Sequence, residues 1–590
     1  MTERFQQEIE RLTQELQPIR KQFKLFGYLK LVLVLFLCYF GYEALTNNPF
    51  FGVIFLVVLG ISVYVWIKHV SLEQSISKKE QQLFINQNYI KRIDGTWIEF
   101  SDIGEEFIDY NHEYSSDLDI VGRSSIFQLL NSTNTYYGRK RFSEDLTNSH
   151  YSKTEIENRQ QAIQELKDKL SFTTEIQCSA KQVGTNKNIE LLVTLLQEEK
   201  KFIKIPKVIL LIMPTLLIGM GILTFVFKNK IAAILFFGLI LIHAGLWGYS
   251  LLKGSEITTA IVQVPQKLFG YRSIIEQIQK EQFHSIRLQE MQNRLTSSTL
   301  QAMKELDRIV AMIRVHSNPF IYFIVGIVLL WDYHCIQQLI DWQKKYSDQV
   351  EEWFLIIGEL ESLISFSVLP NVCDTVCIPK IIEQKRIQGV EVGHPLIPNE
   401  KRVANQVDFV DEIDIISGSN MSGKTTFIRT IGINCILVNA GSYVCAKEFQ
   451  SAQFEIVTSM RIRDDLNEGI STFYAELKRI KKILEQSSEN EMTCFLIDEI
   501  FRGTNSVDRL EGAKKVLEKL DNYKVMGFIT THDLELGNLE KEFKRIKNYS
   551  FSETYQEDEI IFTYHLQKGV STSTNARFLM KKLGILSNKE

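Results

Sequence analysis

The stretch Gly418-Ser419-Asn420-Met421-Ser422-Gly423-Lys424-Thr425 decides the fold of the C-terminal part of the chain. It follows the apolar run Ile413–Ile416 and precedes Thr426-Phe427-Ile428-Arg429, which has the pattern of a helix start. G-x-x-x-x-G-K-[ST] between a strand and a helix is typical of a phosphate-binding loop. Glycines let backbone amides approach phosphate oxygens, and the helix N-terminus favours negative charge. We therefore predict that residues 418–426, Thr426 included, bind a nucleoside triphosphate.

A second motif supplies the acidic groups that such a site needs. In known phosphate loops the lysine, here Lys424, reaches the β- and γ-phosphates, and the hydroxyl, here Thr425, binds Mg²⁺. The apolar run Cys494–Ile497 ends in Asp498 and Glu499, which predicts a buried parallel strand with acids at its carboxyl end. Asp498 is the second predicted Mg²⁺ ligand, and Glu499 is the predicted general base for the attacking water. ATP and Mg²⁺ are thus the predicted cofactors of a hydrolase.

Composition constrains the partners and the compartment. The 590-residue chain is long enough for several domains, and its net charge of −4 does not favour general binding to nucleic acid. The eight cysteines are scattered, and Cys373 and Cys377 have no second pair to complete a zinc site. Reduced cysteines suit the cytosol. The charged, helix-favouring residues 1–24 do not resemble a cleavable signal peptide.

Two pairs of apolar stretches predict membrane-spanning hairpins. They are residues 25–45 with 50–67 and residues 208–227 with 231–252, each long enough to cross a bilayer. Basic residues are concentrated outside the pairs, which predicts an integral inner-membrane protein with residues 70–205 and 253–590 in the cytoplasm. His243, inside the second pair, is interpreted as facing another helix or water. Pro319–Trp331 is too short to span and is interpreted as a buried core helix.

Several motifs after residue 385 stand in the order found in the MutS family of DNA mismatch-repair ATPases, and this part of the chain resembles that family. The motifs are His394-Pro395-Leu396 with Val403-Ala404-Asn405, the loop at 418–426, Ile470-Ser471-Thr472-Phe473 with Glu476, Asp498-Glu499-Ile500-Phe501-Arg502-Gly503-Thr504, and Thr530-Thr531-His532. A weaker resemblance to the family's helical core covers Asp117–Gly122 and segments up to Gln160.

The resemblance implies roles that the residues alone do not establish. In this family two subunits pair through these domains, so a homodimer is expected in which Ser471 completes the partner's nucleotide site. His532 would sense the γ-phosphate, and Asp508 would lie in the segment that crosses the interface. Considered without the family, Ser471 is equally a helix N-cap and His532 equally a buried structural histidine.

The resemblance also implies the fold and the domain order. We predict an α/β P-loop NTPase domain of the ABC/MutS type, C-terminal to an all-α core, with two transmembrane hairpins. The predicted parts are 1–24 (cytosolic helix), 25–69 (hairpin 1), 70–205 (helical core, first part), 206–252 (hairpin 2), 253–385 (helical core and levers, second part) and 386–590 (ATPase domain).

Departures from the family pattern limit what is carried over. No segment resembles the mismatch-reading domain or its Phe-x-Glu wedge. Phe501 stands where the family has glycine after Asp-Glu-x, and Arg402 stands at a position that is often aromatic and stacks on adenine. Recognition of mismatches is therefore not expected.

Three functions remain as hypotheses. The leading one is a membrane-anchored, homodimeric MutS-like ATPase whose helical levers move a ligand, with DNA as a candidate and no small-molecule substrate beyond the nucleotide. The second is an ABC-type transporter, against which no L-S-G-G-Q segment lies between Lys424 and Asp498. The third is an ATP-switched membrane scaffold that acts on a protein partner. The basic residues of the long helical region are interpreted as a solvated face rather than a DNA site; they are Arg287, Arg294, Lys304, Arg308 and Arg314.

Overall fold

The computed structural model describes residues 2–197, 202–203, 205–262, 265–461, 472–501, 505–556 and 559–571. The chain forms two compact units. The first unit comprises Met1–Leu130, Leu146–Gln160 and Phe366–Glu590, and the second comprises Asn131–Asp145 and Gln161–Ser365. Ser471 and the segment 502–504 lie outside the described residues.

Helices make up most of the chain before residue 373. They are α1 Thr2–Thr46, α2 Phe50–Ile93, α3 Ile126–Leu130, α4 Tyr136–Thr147, α5 Lys153–Asp168, α6 Leu170–Val183, α7 Asn188–Gln197, α8 Lys207–Phe225, α9 Lys230–Val262, α10 Pro265–Lys280, α11 Ile286–Arg294, α12 Ser297–Ile313, α13 Pro319–Leu329, α14 Trp331–Phe366 and α15 Leu369–Val372. This region corresponds to the helical part that the sequence predicts.

The first apolar hairpin belongs to two long continuous helices. α1 joins the charged N-terminal segment to the first apolar stretch without a break, and α2 continues the second stretch to Ile93. The polar ends pair through packed side chains, since the rings of Phe5 and Tyr89 stack with centroids 4.5 Å apart. The most apolar 18-residue window of each helix is only 6% buried. Both helices are compatible with membrane spans by length and composition.

The second unit contains the other apolar hairpin, α8 and α9, whose most apolar windows are 17% and 11% buried. Trp331–Val372 is also apolar enough to span, but its apolar window is 94% buried, so it is core. The prediction of a buried helix at Pro319–Trp331 is wrong. In α13 Phe320 is 86% and Ile324 61% exposed, because hydropathy alone does not tell which apolar helix protein covers.

The chain after residue 373 is an α/β domain with two mixed sheets. Its elements are β1 Lys380–Ile381, β2 Arg386–Val392, β3 Asn405–Val410, β4 Ile413–Ser417, α16 Lys424–Asn439, β5 Glu448–Ser451, β6 Glu455–Ser459, α17 Thr472–Glu489, β7 Thr493–Asp498, α18 Ser506–Asn522, β8 Met526–Thr531, β9 Ile546–Gln556 and β10 Glu559–Lys568. One sheet has the order β1-β5-β2-β3 and the other β10-β9-β4-β8-β7-β6.

The six-stranded sheet brings the predicted motifs to one edge. β4 lies between β8 and β9 and is parallel to both, and β7 is parallel to β8. All residues of β4, β7 and β8 are buried, as is usual for parallel strands covered on both faces. Because parallel strands end on the same side, the loop after β4, the acids after β7 and the threonines of β8 meet there.

A buried carboxyl lies in the middle of this sheet. Asp414, in β4, is 0% exposed, and neither of its carboxylate oxygens has a hydrogen-bond partner within the described residues. Burial raises the pKa of the Asp414 carboxyl well above its ordinary value, and the nearby Glu412 raises it further. The folded state therefore holds this proton more tightly than the unfolded chain does.

We expect Asp414 to make the domain less stable as pH rises. Above the unfolded-state pKa, near 4, the free energy of unfolding should fall by about 1.4 kcal/mol per pH unit until the folded pKa is reached. Asp414→Asn should remove this slope, with exposed Asp408→Asn as the control. Thermal unfolding in detergent at several pH values measures it. Parallel profiles for Asp414→Asn and the wild type would contradict the prediction.

Candidate functional site

The glycine-rich loop leads directly into α16. Gly423 has φ 105° and Met421 φ 67°, so the chain makes a left-handed turn just before Lys424. The backbone at Gly423 is one that glycine adopts without strain. Gly423, the N-cap residue of α16, has no side chain that could cap the first amides of the helix. The first amides and the dipole of a helix favour negative charge at its N-terminus.

Lys424 lies inside the loop that it follows. Its side chain is buried, and Nζ donates to the carbonyl oxygens of Gly418 and Ser419 at 2.8 Å each. Ser419 Oγ donates to Glu553 Oε2 of β9 at 2.7 Å, which ties the loop to the sheet. The buried Ser422 hydroxyl has no hydrogen-bond partner among the described residues. The loop therefore holds an ammonium and an unsatisfied hydroxyl around its backbone amides.

Thr425 and Asp498, the two predicted metal ligands, are in contact. Thr425 Oγ1 donates to Asp498 Oδ1 at 2.8 Å, and Thr530 Oγ1 of β8 donates to the same oxygen at 2.6 Å. One hydroxyl and one carboxylate at the end of a phosphate-type loop fit Mg²⁺, which takes few protein ligands and completes its shell with water and phosphate oxygens. The residues present thus fit the implied ion.

Glu499 and His532 form a second pair at the same edge. His532 Nε2 and Glu499 Oε1 are 2.7 Å apart, and both side chains are partly exposed. Glu499 has φ 55° and its amide donates to Thr530 O at 3.1 Å, so β8 holds this turn. The arrangement orients a carboxylate beside an imidazole at the edge of the loop.

A cavity of about 430 Å³ adjoins the loop. Beyond loop residues and Glu499, its lining includes Ile397, Lys401, Val403, Asn405 and Tyr564. Arg402 is not part of this wall. Its guanidinium donates to the carbonyls of His394 and Ile397 and to Cys373 Sγ. With arginine instead of an aromatic residue at this position, residue 402 supplies no ring to stack on a base.

Tyr564 is a lining residue that the sequence did not reveal. It lies at a register shift between β9 and β10 and has φ 56°. Its carbonyl accepts from Asn405 Nδ2 at 3.0 Å, and a Cβ at Gly423 would lie 3.0 Å from its ring. Neither the irregularity nor the long-range contact leaves a pattern in sequence. The Val403-Ala404-Asn405 motif was the available signal, because Asn405 holds the tyrosine.

The turn after Asp498 and Glu499 explains how Phe501 replaces glycine. Phe501 has φ 59°, a conformation that favours glycine, yet its ring is buried against Phe473 with centroids 6.1 Å apart. A Cβ at Gly512 would lie 2.8 Å from that ring, so α18 approaches it closely. Glu476 of α17 accepts a hydrogen bond from the Phe501 amide. Packing thus offsets the strain of this backbone.

The Asp117–Gly122 turn is tied to three elements of the site. Asp117 accepts from the Met460 amide at 3.0 Å and from Arg479 Nη1 of α17 at 2.8 Å. Asp119, with φ 52°, pairs with Arg429 of α16 at 3.1 Å and with Arg461. These contacts connect the turn to the helix of the glycine-rich loop, to α17 and to the residues just after β6. Sequence reasoning assigned this turn to the helical core and missed the network.

The fold and the site define a class: an α/β domain in which a strand, a glycine-rich loop and a helix meet paired acids at one sheet edge. Residues 414–578 match the family model of MutS domain V. The DNA mismatch repair protein MutS of Staphylococcus aureus strains JH9 and Newman is 31% identical over 249 residues, which cover 40% of this chain and 28% of the relative.

The C-terminal domain of the chain is therefore similar to domain V of the MutS family. The match spans a little over a quarter of the length of these relatives, since it covers 28% of each. The similarity to the MutS family that the motifs indicated is therefore confirmed for this domain.

Proposed function

We propose that the chain is a membrane-anchored MutS-like ATPase that binds and hydrolyses ATP at the Gly418–Thr425 loop. The observation that carries the proposal is the convergence at one sheet edge of Lys424, the Thr425–Asp498 contact of 2.8 Å and the Glu499–His532 pair of 2.7 Å. This set contains a cationic phosphate ligand, a hydroxyl–carboxylate pair suited to Mg²⁺ and a positioned base.

Each residue has a separate task in the proposed reaction. The α16 amides and Lys424 hold the phosphates, and the ammonium exchanges its two loop carbonyls for phosphate oxygens. Thr425 and Asp498 would hold Mg²⁺, and a bound ion would supply neutralisation of the phosphate charge. Glu499 accepts a proton from water, and His532 keeps that carboxylate oriented through its Nε2 contact.

We propose that the cavity wall at Tyr564 contacts the nucleobase of ATP. Because its ring lies over Gly423 and lines the cavity, Tyr564→Ala should raise the KM for ATP about tenfold with little change in kcat, as loss of uniform binding does. Tyr564→Phe, which keeps the ring, should behave as wild type. Steady-state ATPase kinetics measure both variants. An unchanged KM in Tyr564→Ala would remove Tyr564 from the nucleotide site.

The homodimer remains a proposal based on the family. Ser471 would reach the nucleotide of the partner subunit, and Asp508 would lie near the shared boundary. Exposed apolar side chains on α17 and α18 support an interface at this surface: Tyr474 is 52% and Val507 72% exposed. Their removal from water would favour pairing.

The membrane anchor is supported by the exposed apolar surfaces of α1, α2, α8 and α9. Basic residues flank the outer ends of both hairpins. This favours a cytoplasmic location for those ends and for the ATPase domain. The continuous helices α1 and α2 would connect the bilayer mechanically to the first unit. Movements of α16 during cycles of ATP binding and release would be transmitted to α1 and α2 through that unit.

DNA is the less supported ligand. Three of the basic residues considered above are ion-paired: Arg287 with Glu359 at 2.6 Å, Arg294 with Glu352 at 2.6 Å and Lys304 with Glu276 at 3.8 Å. Arginine and lysine side chains in such ion pairs contribute less to phosphate binding, because each must exchange a carboxylate for a phosphate. This supports the interpretation of a solvated, structural helix face.

The ATPase rate of the detergent-solubilised full chain tests the proposal, measured with and without duplex and branched DNA at two salt concentrations. Mg²⁺-dependent turnover is the result that supports an ATPase. Stimulation by DNA that weakens as salt rises would identify a nucleic-acid motor. Turnover that ignores DNA would assign the motor to a protein or to the membrane. Absence of turnover under all conditions would contradict the proposed activity.

A further inference from the structure

The helix α13 exposes an apolar face that the predicted hairpins do not include. Phe320 is 86%, Phe323 54% and Ile324 61% exposed, at the three- and four-residue spacing of one helix face. Residues 319–331 contain no charged side chain. α13 is bent by 110° from α12. A surface of this kind is costly in water and indicates a binding face.

Specific contacts hold α13 against α9. The Nδ1 of His243, which is fully buried, donates to Ile327 O at 2.8 Å. A Cβ at Gly326 would lie 2.5 Å from Trp247 Nε1, so glycine permits the close approach. The Trp247 ring also packs edge-on against Phe323 with centroids 5.5 Å apart. His243 therefore faces a neighbouring helix, one of the two alternatives considered from sequence.

A polar cluster closes the end of this contact. Asp332, which is 3% exposed, accepts from Ser250 Oγ of α9 at 2.6 Å, from Tyr322 OH of α13 at 2.7 Å and from His316 Nε2 at 2.7 Å. These bonds satisfy a carboxylate that would otherwise be isolated beside apolar helices. They tie the first turn of α13 and the start of α14 to Ser250 of α9.

We propose that α13 lies in the cytoplasmic leaflet of the bilayer beside α9, with Phe320, Phe323 and Ile324 against lipid acyl chains. The inference rests on the proposed insertion of the α8–α9 hairpin. The contacts of α13 and the start of α14 with α9 extend from His243 to Ser250. All of them lie within about 14 Å of the cytoplasmic end of the 231–252 stretch, which is about half the thickness of the apolar core of a bilayer. With 11 residues, α13 is about 16 Å long and cannot span.

Lipid is favoured over a protein partner because the exposed face continues the surface of α9. On that helix Phe237 is 59% and Leu241 74% exposed, and the same bilayer would cover both surfaces. The direct bond from His243 to Ile327 O keeps the two helices in one layer. The second membrane region would therefore consist of three helices, with α13 confined to one leaflet.

Site-specific fluorescence in lipid vesicles tests this arrangement. Cys38 is exposed, whereas the other seven cysteines are buried or intermediate, so Cys38→Ser provides the background. Single cysteines replace Phe323 in α13, Phe237 in α9 as the membrane control, and the 53% exposed Leu355 in α14 as the aqueous control. Each is labelled with an environment-sensitive dye in the full chain, reconstituted in phosphatidylcholine–phosphatidylglycerol vesicles, and quenched by nitroxide lipid or by aqueous iodide. Ile324→Cys provides a second reporter if Phe323→Cys does not fold.

We expect strong quenching by nitroxide lipid at positions 323 and 237, and quenching by iodide at 355. Lipid quenching at 237 with iodide quenching at 323 would overturn the location of α13 and leave the hairpin intact. Protection from both quenchers at 323 would also overturn it and indicate a protein partner. Iodide quenching at 237 as well would overturn the inserted hairpin itself.

Discussion

Lys424→Ala should abolish measurable ATP binding. The buried ammonium is the one cation that the described part of the glycine-rich loop holds. It donates to the Gly418 and Ser419 carbonyls at 2.8 Å each, and these donors would turn to phosphate oxygens when ATP binds. Loss of charge-assisted bonds to the β- and γ-phosphates should weaken binding at least 100-fold, equivalent to about 2.7 kcal/mol. Equilibrium binding of a fluorescent ATP analogue to the full-length protein measures the change.

Two controls separate this effect from misfolding. Lys447→Ala changes an exposed lysine, paired with Glu391 at the surface, and should bind ATP as the wild type does. The thermal midpoint of Lys424→Ala should show a fold still intact, because the same carbonyls can accept bonds from water. Wild-type affinity in Lys424→Ala would exclude the loop as the nucleotide site.

Glu499→Gln should bind ATP normally and hydrolyse it about 10² to 10³ times more slowly. The variant keeps the shape and an oxygen acceptor near His532, whose Nε2 is 2.7 Å from the present carboxylate, but it cannot accept a proton from water. General-base catalysis contributes effects of this size. Single-turnover phosphate release from protein saturated with ATP isolates the chemical step.

Glu518→Gln is the matched control for that variant. Glu518 is an exposed carboxylate on α18 that pairs with Lys515, and its removal should leave turnover unchanged. A single-turnover rate in Glu499→Gln equal to the wild-type rate would assign the base to another group. Weaker binding together with slower hydrolysis would instead assign Glu499 to nucleotide affinity.

Local sequence patterns predicted the parts of the site that local backbone geometry determines. The spacing of Gly418, Gly423 and Lys424 requires one turn between a strand and a helix, and β4 and α16 have those bounds. The run ending in Asp498 and Glu499 predicted a buried strand, and β7 is buried throughout. The meeting of Thr425 with Asp498 follows from the parallel order of the sheet.

Local sequence patterns did not predict the contacts between distant segments of the chain. Tyr564 lies at a register shift in an antiparallel pair and reaches the loop from a distant part of the chain. Asp119 and Arg429 are separated by 310 positions in the chain, so nothing nearby predicts their bond. The acids Glu359 and Glu352, which neutralise Arg287 and Arg294, likewise lie 72 and 58 positions away. Spatial neighbours of this kind determine whether a charged residue is free to bind a ligand.

The helix α13 shows how composition misleads in the opposite direction. Trp331–Val372 and α13 both contain apolar stretches, yet the apolar window of Trp331–Val372 is 94% buried while Phe320 and Ile324 are exposed. Length indicated that α13 does not span, and it was therefore assigned to the core. Short apolar helices have a third location, against one leaflet, which the hydropathy of a single segment does not distinguish.

The Asp117–Gly122 turn gives a physical route from nucleotide to helices. Asp119 bonds to Arg429, one turn of α16 beyond Thr425, and Asp117 bonds to the end of β6 and to α17. If nucleotide binding shifted α16, the turn and the residues at the end of β6 would be displaced with it. The turn is a positioning element, because the lining of the described cavity includes none of its residues.

The most direct measurement of the central claim is phosphate release from ATP by the purified full-length protein in lipid vesicles, with Mg²⁺ and with Mg²⁺ chelated, for the wild type beside Lys424→Ala. The proposed site predicts turnover only in the wild type and only with Mg²⁺. Equal phosphate release in both proteins, or release that persists after chelation, would contradict an ATPase built on the Gly418–Thr425 loop.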